Sequence, residues 1–188
     1  MDPAQKQAFS LEGLLKTIST QKFPPVENWN PDFCGNIDMC IKSDGSWFYM
    51  GTPISRTRMV KLFSSVLRKD DDGKTYLVTP VEKIGITVDD APFVAVGLEI
   101  GEQGGTRVLI FETNVGDRIV AGQANPIRVE TNEKTGEPRP YVLVRGNLEA
   151  LISRSVFYQM VELASSEADQ LYIESDGVRF FLGGIGAN

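Results

Sequence analysis

Ile41-Lys42-Ser43-Asp44-Gly45-Ser46-Trp47-Phe48-Tyr49-Met50-Gly51 lines up with Ile173-Glu174-Ser175-Asp176-Gly177-Val178-Arg179-Phe180-Phe181-Leu182-Gly183, with six of eleven positions identical. Asp-Gly between two apolar runs is the strongest short-range signal for a β-hairpin, because glycine takes positive φ without a Cβ clash. Both stretches are therefore expected to be hairpins, with Phe48 and Phe180 at the same position and on the same face. Ile54-Ser55-Arg56 and Ile152-Ser153-Arg154 each open a helical period. The first half thus reads hairpin then helix and the second reads helix then hairpin, which predicts a repeated hairpin-plus-helix unit.

Working outward, Met59, Leu62, Phe63, Val66 and Leu67 fall at helical spacing and predict a helix from about Thr57 to Lys69. Val156, Phe157, Met160, Val161 and Ala164 do the same for Ser153 to Ala164. Leu11, Leu14, Leu15 and Ile18 predict an amphipathic N-terminal helix, and Pro24-Pro25 ends it. Strands are expected at Thr75 to Val78, Ile84 to Val88, Phe93 to Ile100, Arg107 to Glu112, Ile127 to Thr131 and Tyr141 to Val144, separated by Gly, Pro, Asn and Asp turns. Helices and hairpin-connected strands without βαβ alternation predict an α+β fold with mostly antiparallel, hairpin-rich sheets. The expected organisation is an N-terminal helix and connector over 1–28 and two small α+β subdomains over 29–90 and 91–188.

The 188 residues are 41% hydrophobic and 23% charged, enough to bury a core. A net charge of −6 argues against binding the nucleic-acid backbone, and no apolar run reaches the roughly eighteen residues of a membrane helix. With no apolar leader, the protein is expected in the cytoplasm. There is no histidine, which excludes Ser-His-Asp and Cys-His nucleophile systems and histidine-ligated metals. Cys34 and Cys40 fit neither a redox pair nor half a zinc site. Asp70-Asp71-Asp72-Gly73 brings its glycine too early for an EF-hand loop and reads as a solvated turn. No metal and no cofactor are expected.

Arginine carries the sharper signal. The bases after residue 90 are seven arginines and Lys134. Arg56 and Arg154 sit at helix starts, where a cation opposes the helix dipole, so each is expected to face a partner off the helix. Arg128 and Arg145 lie in or at the ends of strands. Together Arg56, Arg128, Arg145 and Arg154 are the candidate anion-binding residues, with Tyr141 and Asp117 in support. The competing reading gives these arginines structural ion pairs to Glu112, Asp117, Glu130 and Glu149.

Trp29-Asn30-Pro31, Phe33-Cys34-Gly35, Asp44-Gly45, Leu77-Val78-Thr79-Pro80, Asp90-Ala91-Pro92-Phe93, Asn114-Val115-Gly116-Asp117 and Leu148 to Arg154 resemble an uncharacterised proteobacterial family, domain of unknown function 1285. The resemblance spans about Trp29 to Leu163. It implies two α+β units with repeated elements and a regulatory or signalling role, with no catalytic residue to carry over. The family pattern often has a histidine before the proline that is Pro126; here Asn125 stands there, which removes any histidine-dependent chemistry.

The resulting expectation is a cytoplasmic, non-enzymatic regulatory or ligand-binding protein with an arginine-lined groove for a small anionic ligand, forming a homodimer. The alternatives are a histidine-free hydrolase or isomerase built on Asp117, Glu82, Tyr141 and Arg145, or a protein-interaction scaffold.

Overall fold

A computed structural model describes residues 23–184; the helix expected around Leu11–Ile18 lies outside them. The chain divides into two compact units. The first holds the described residues up to Cys40 together with Trp47–Thr87, and the second holds Ile41–Ser46 together with the described residues from Val88 on.

In the first unit a 3-10 turn, Val26–Asn28, leads into β1 (Phe33–Ile41), β2 (Trp47–Tyr49), β3 (Thr52–Pro53), α1 (Thr57–Ser65), β4 (Leu67–Lys69), β5 (Thr75–Val78) and β6 (Lys83–Val88). The strands form one sheet in the order β3-β2-β1-β6-β5-β4. Its apolar face is built from Met39, Trp47, Leu67, Leu77 and Ile84, all buried. Phe63 on α1 stacks on Trp47 with ring centroids 6.2 Å apart, so the helix closes this face.

In the second unit β7 (Phe93–Gln103), β8 (Thr106–Thr113), β9 (Arg118–Val120), β10 (Ile127–Thr131), β11 (Pro138–Arg145) and β12 (Leu148–Ile152) form a sheet in the order β10-β11-β12-β7-β8-β9. The β12–β7 pair is parallel, an exception to an otherwise antiparallel ladder. Then come α2 (Arg154–Leu163), β13 (Ser165–Glu167), β14 (Gln170–Ser175) and β15 (Val178–Gly184), the three strands making a small separate sheet. β14 lies against β8, β15 against β10, and α2 against β7 and β14. Buried Ser175 pins the small sheet in place: its hydroxyl accepts from the Leu109 N–H at 2.8 Å and donates to the Ala121 carbonyl at 2.6 Å.

Among the described residues 51% are in strands and 14% in helices, so the fold is mostly β and the α+β expectation is corrected. The helix expected to reach Lys69 stops at Ser65. There the Ser64 and Ser65 hydroxyls donate back to the Lys61 and Leu62 carbonyls, a local competition that weakens helix continuation. Leu67, Arg68 and Lys69 instead pair with Leu77, Tyr76 and Thr75. Elsewhere strands run longer than their apolar cores, and β9, β12 and β13 add to them.

The repeat does not extend to the geometry of the two hairpins. Asp176 and Gly177 both have positive φ (52° and 71°), as a two-residue type I′ turn requires. Of Asp44 and Gly45 in the first hairpin only the glycine does (83°), and the loop is longer: Lys42 N–H donates to the Ser46 carbonyl, while the Asp44 carboxylate accepts from the Ser46 amide. The alternation is out of phase as well. Trp47 is buried where its counterpart Arg179 is exposed, and Phe180 is buried where Phe48 is only half-buried.

Candidate functional site

The arginines singled out by sequence fall into three settings. Arg128 on β10 reaches across the Tyr141 ring, its guanidinium carbon 4.3 Å from the centroid, to grip Glu149 on β12. Nε and Nη2 each donate to one carboxylate oxygen at 2.6 Å, and Nη1 donates to Glu130. This is the forked, bidentate geometry that gives arginine–carboxylate pairs their strength. Arg145, at the end of β11, donates to Asp117 Oδ2 at 3.1 Å and lies 5.1 Å from the Phe93 ring. Three of the carboxylates named by the competing reading, Asp117, Glu130 and Glu149, are therefore the ones these two arginines meet.

Arg154 and Arg56 each line a cavity, in different units. Ser153 caps α2 by accepting from the Val156 N–H, which leaves the first helical residue, Arg154, with its side chain 72% exposed. Its Nη2 donates to Glu137 Oε1 at 3.4 Å, and Glu137 is itself largely exposed. Arg56 precedes α1 in an extended conformation and makes no side-chain cap bond. It borders a hollow of about 230 Å³ in the first unit with Tyr49, Ile54 and Met59.

The second-unit cavity is larger, about 330 Å³, between the start of α2 and strands β11 and β12. Arg154, Phe157 and Tyr158 come from the helix, Leu151 and Ile152 from β12, and Glu137, Arg139 and the two prolines flanking Arg139 from β11 and its approach. Arg139 faces Glu130 in the β10–β11 register and donates from Nη2 to Asp90 Oδ2 at 2.6 Å. The other Asp90 oxygen accepts from the Tyr141 hydroxyl at 2.9 Å. Asp90 is thus more than a turn residue before Ala91-Pro92: it holds Arg139 in place. Burial, and the hydrogen bond to Asp90, push the Tyr141 phenol up to about 12, so it stays protonated at neutral pH.

The structure brings Arg154 together with Arg139, Glu137 and Tyr158, none of which but Arg154 stood out in the sequence. A signal existed for Arg139: a cation between two prolines, in a strand where each proline lacks a donor, calls for a reason. Glu82 belongs to the first unit and Asp117 to the second. Asn125 donates from Nδ2 to the Leu143 and Val144 carbonyls at 2.9 and 3.0 Å, a backbone-bridging role. In the acidic turn, Asp70 accepts from Arg68 and Lys83, and Asp72 from Tyr76 and the Lys74 amide. Among the described residues no group of three or more His, Cys, Asp or Glu is placed to hold a metal ion, and no helix is long and apolar enough to cross a membrane.

A mostly antiparallel, two-unit β protein whose described residues form an arginine-bordered cavity in each unit is the class these observations define. Family models match both parts: residues 24–91 match the domain of unknown function DUF1285, N-terminal domain, and residues 92–182 match the protein of unknown function DUF1285, C-terminal domain. The chain belongs to the DUF1285 family. It is similar to a crystal structure of a DUF1285 family protein from Silicibacter pomeroyi DSS-3, with 50% identity over 95% of this chain and 97% of that one and a TM-score of 0.88. It is also similar to one from Shewanella baltica OS155, with 27% identity over 66% of this chain and 90% of that one and a TM-score of 0.52. No curated protein matches.

Proposed function

We propose that the protein is a non-enzymatic, regulatory ligand-binding protein whose second unit takes a small anionic ligand with an apolar part, in the cavity beside Arg139 and Arg154. The observation that carries this reading is one hollow of about 330 Å³ with two guanidinium groups on its rim and Leu151, Ile152 and Phe157 in its wall. Few charged groups over an apolar lining is the usual make-up of a small-molecule site. Arg139 is pre-oriented by Asp90, while the Arg154–Glu137 contact is exposed. An exposed pair of this kind contributes at most about 1 kcal/mol, so it does not lock Arg154 away from a ligand.

Of the four arginines named from sequence, this site uses Arg154. Arg128 and Arg145 keep their carboxylates, and Arg56 borders the smaller hollow in the first unit. The absence of histidine supports binding over histidine-dependent acid–base chemistry. The test is a thermal-shift screen of small carboxylates and phosphates on the wild type and on Arg154→Ala. A ligand at about a hundred times its Kd adds about 2.7 kcal/mol, a rise of several degrees. The expected result is a rise in the wild type that Arg154→Ala loses while its unliganded Tm stays within a degree or so. No rise with any anion, or a rise that survives both Arg154→Ala and Arg139→Ala, overturns the reading.

A further inference from the structure

The charges around the second-unit cavity narrow the ligand further. Its two arginines do not face a ligand unopposed: Asp90 accepts from Arg139 at 2.6 Å and Glu137 stands 3.4 Å from Arg154. Two cations are matched by two carboxylates, so the rim is electrically balanced. Asp90 stays where it is, because it also accepts the Tyr141 hydroxyl and is only 14% exposed. Glu137 differs. It lies on the cavity wall with both arginines, and 61% of its side chain is exposed, so a ligand in the cavity can reach it.

A simple anion bound to Arg154 would leave Glu137 beside a second negative charge, and a phosphate dianion would make that repulsion worse. A ligand that brings its own cation next to its carboxylate removes the conflict. Resting on the anion-binding reading above, we infer that the cavity takes a free α-amino acid with an apolar side chain. Its carboxylate is held by Arg139 and Arg154, its ammonium by Glu137, and its side chain by Leu151, Ile152 and Phe157. The site is neutral as built and the zwitterion is neutral as it enters, so no net charge is buried. The wall supplies one acceptor for the ammonium, two planar donors for the carboxylate and an aliphatic–aromatic surface for the rest.

The experiment is calorimetric titration of the full chain with two matched pairs: L-leucine against 4-methylpentanoate, and L-phenylalanine against 3-phenylpropanoate. Each pair differs only in the ammonium group. The expected result is that each amino acid binds at least about tenfold more tightly than its deaminated partner, and that Glu137→Gln shrinks this preference to about twofold or less. Glu137 is exposed and outside any strand, so the variant is expected to fold as the wild type does. If the deaminated acids bind as tightly as the amino acids, or if Glu137→Gln leaves the preference unchanged, the amino-acid inference falls and the anion-binding reading stands. If no member of either pair binds and no other anion does so, both fall together.

Discussion

The guanidinium of Arg68 makes four hydrogen bonds at once, to the Val26 and Trp29 carbonyls at 2.9 and 2.6 Å and to both oxygens of Asp70 at 2.6 and 3.3 Å. At 7% exposure it is among the few buried charged residues. Removing it takes the Arg68 donor from the Trp29 carbonyl, leaves the Val26 carbonyl with the Trp29 N–H, and leaves Asp70 with Lys83 as its remaining cation. Arg68→Ala is expected to cost about 3 kcal/mol, read from urea unfolding, and Arg68→Lys to recover only part of this because an ammonium cannot span the same acceptors. Asp70 adds a pH dependence. Burial pushes its carboxyl up, but the bonds from Arg68 and Lys83 outweigh that and hold it below the ordinary range. Its contribution is therefore complete above the unfolded value near 4 and is lost as pH falls through the lowered folded value. In Asp70→Asn that acid limb should flatten, which denaturation midpoints between pH 2 and 5 will show. None of this was legible from sequence, where Arg68 appeared as a helical residue and Asp70 as the start of a solvated turn.

At the level of elements, the two Asp-Gly turns were legible and their surroundings were not. Gly45 and Gly177 both hold positive φ, but a Cβ on Gly45 would lie 2.5 Å from Asn114 Nδ2, whereas a Cβ on Gly177 meets nothing within 4 Å. Gly177→Ala is expected to cost about 1 kcal/mol from backbone strain alone, and Gly45→Ala about 2–3 kcal/mol because Asn114 must also move. Equal effects in thermal unfolding would contradict this. Of the strands found, β10 alternates, with Ile127 and Val129 on one face, while β5 is a short run buried throughout, and turn residues bound both. β13 (Ser165–Glu167) is polar throughout and β9 is three residues long, so neither carries a period to detect. The site suffered in the same way. Arg128 meets Glu149 only because β10, β11 and β12 lie side by side, a fact of register rather than of spacing. Arg139 passed unnoticed because its environment comes from Asp90, far back in the chain. Arg154 was found because a cation at a helix start is a local misfit, and local misfits are what a sequence displays.

For the molecule as a whole, the lack of histidine sets the shape of its pH profile. Asp44 is held low by its hydrogen bonds from Ser46, Asp70 as described above, and Asp72 by Tyr76; Tyr76, bonded to Asp72, and Tyr141, buried, are both pushed up to about 12. Nothing among these groups titrates between the two sets, so stability should be flat from about pH 5.5 to 8. It should then fall between about 10 and 12, where the unfolded tyrosines ionise and the folded ones do not. A bell with its slope near pH 6.5 in calorimetric Tm values would contradict this.

The family models part between residues 91 and 92, yet Ile41–Ser46 counts with the later unit. Asn114 explains why: its amide side chain donates to the Gly45 carbonyl and accepts from the Val94 N–H, fastening that loop to the start of β7. Anyone exchanging halves between relatives, or expressing the C-terminal piece for crystallisation, would therefore cut in the wrong place by following the chain. A chimera spliced at the seam inherits its donor's Asn114 but the other parent's loop, and should be rescued by transplanting those six residues along with it.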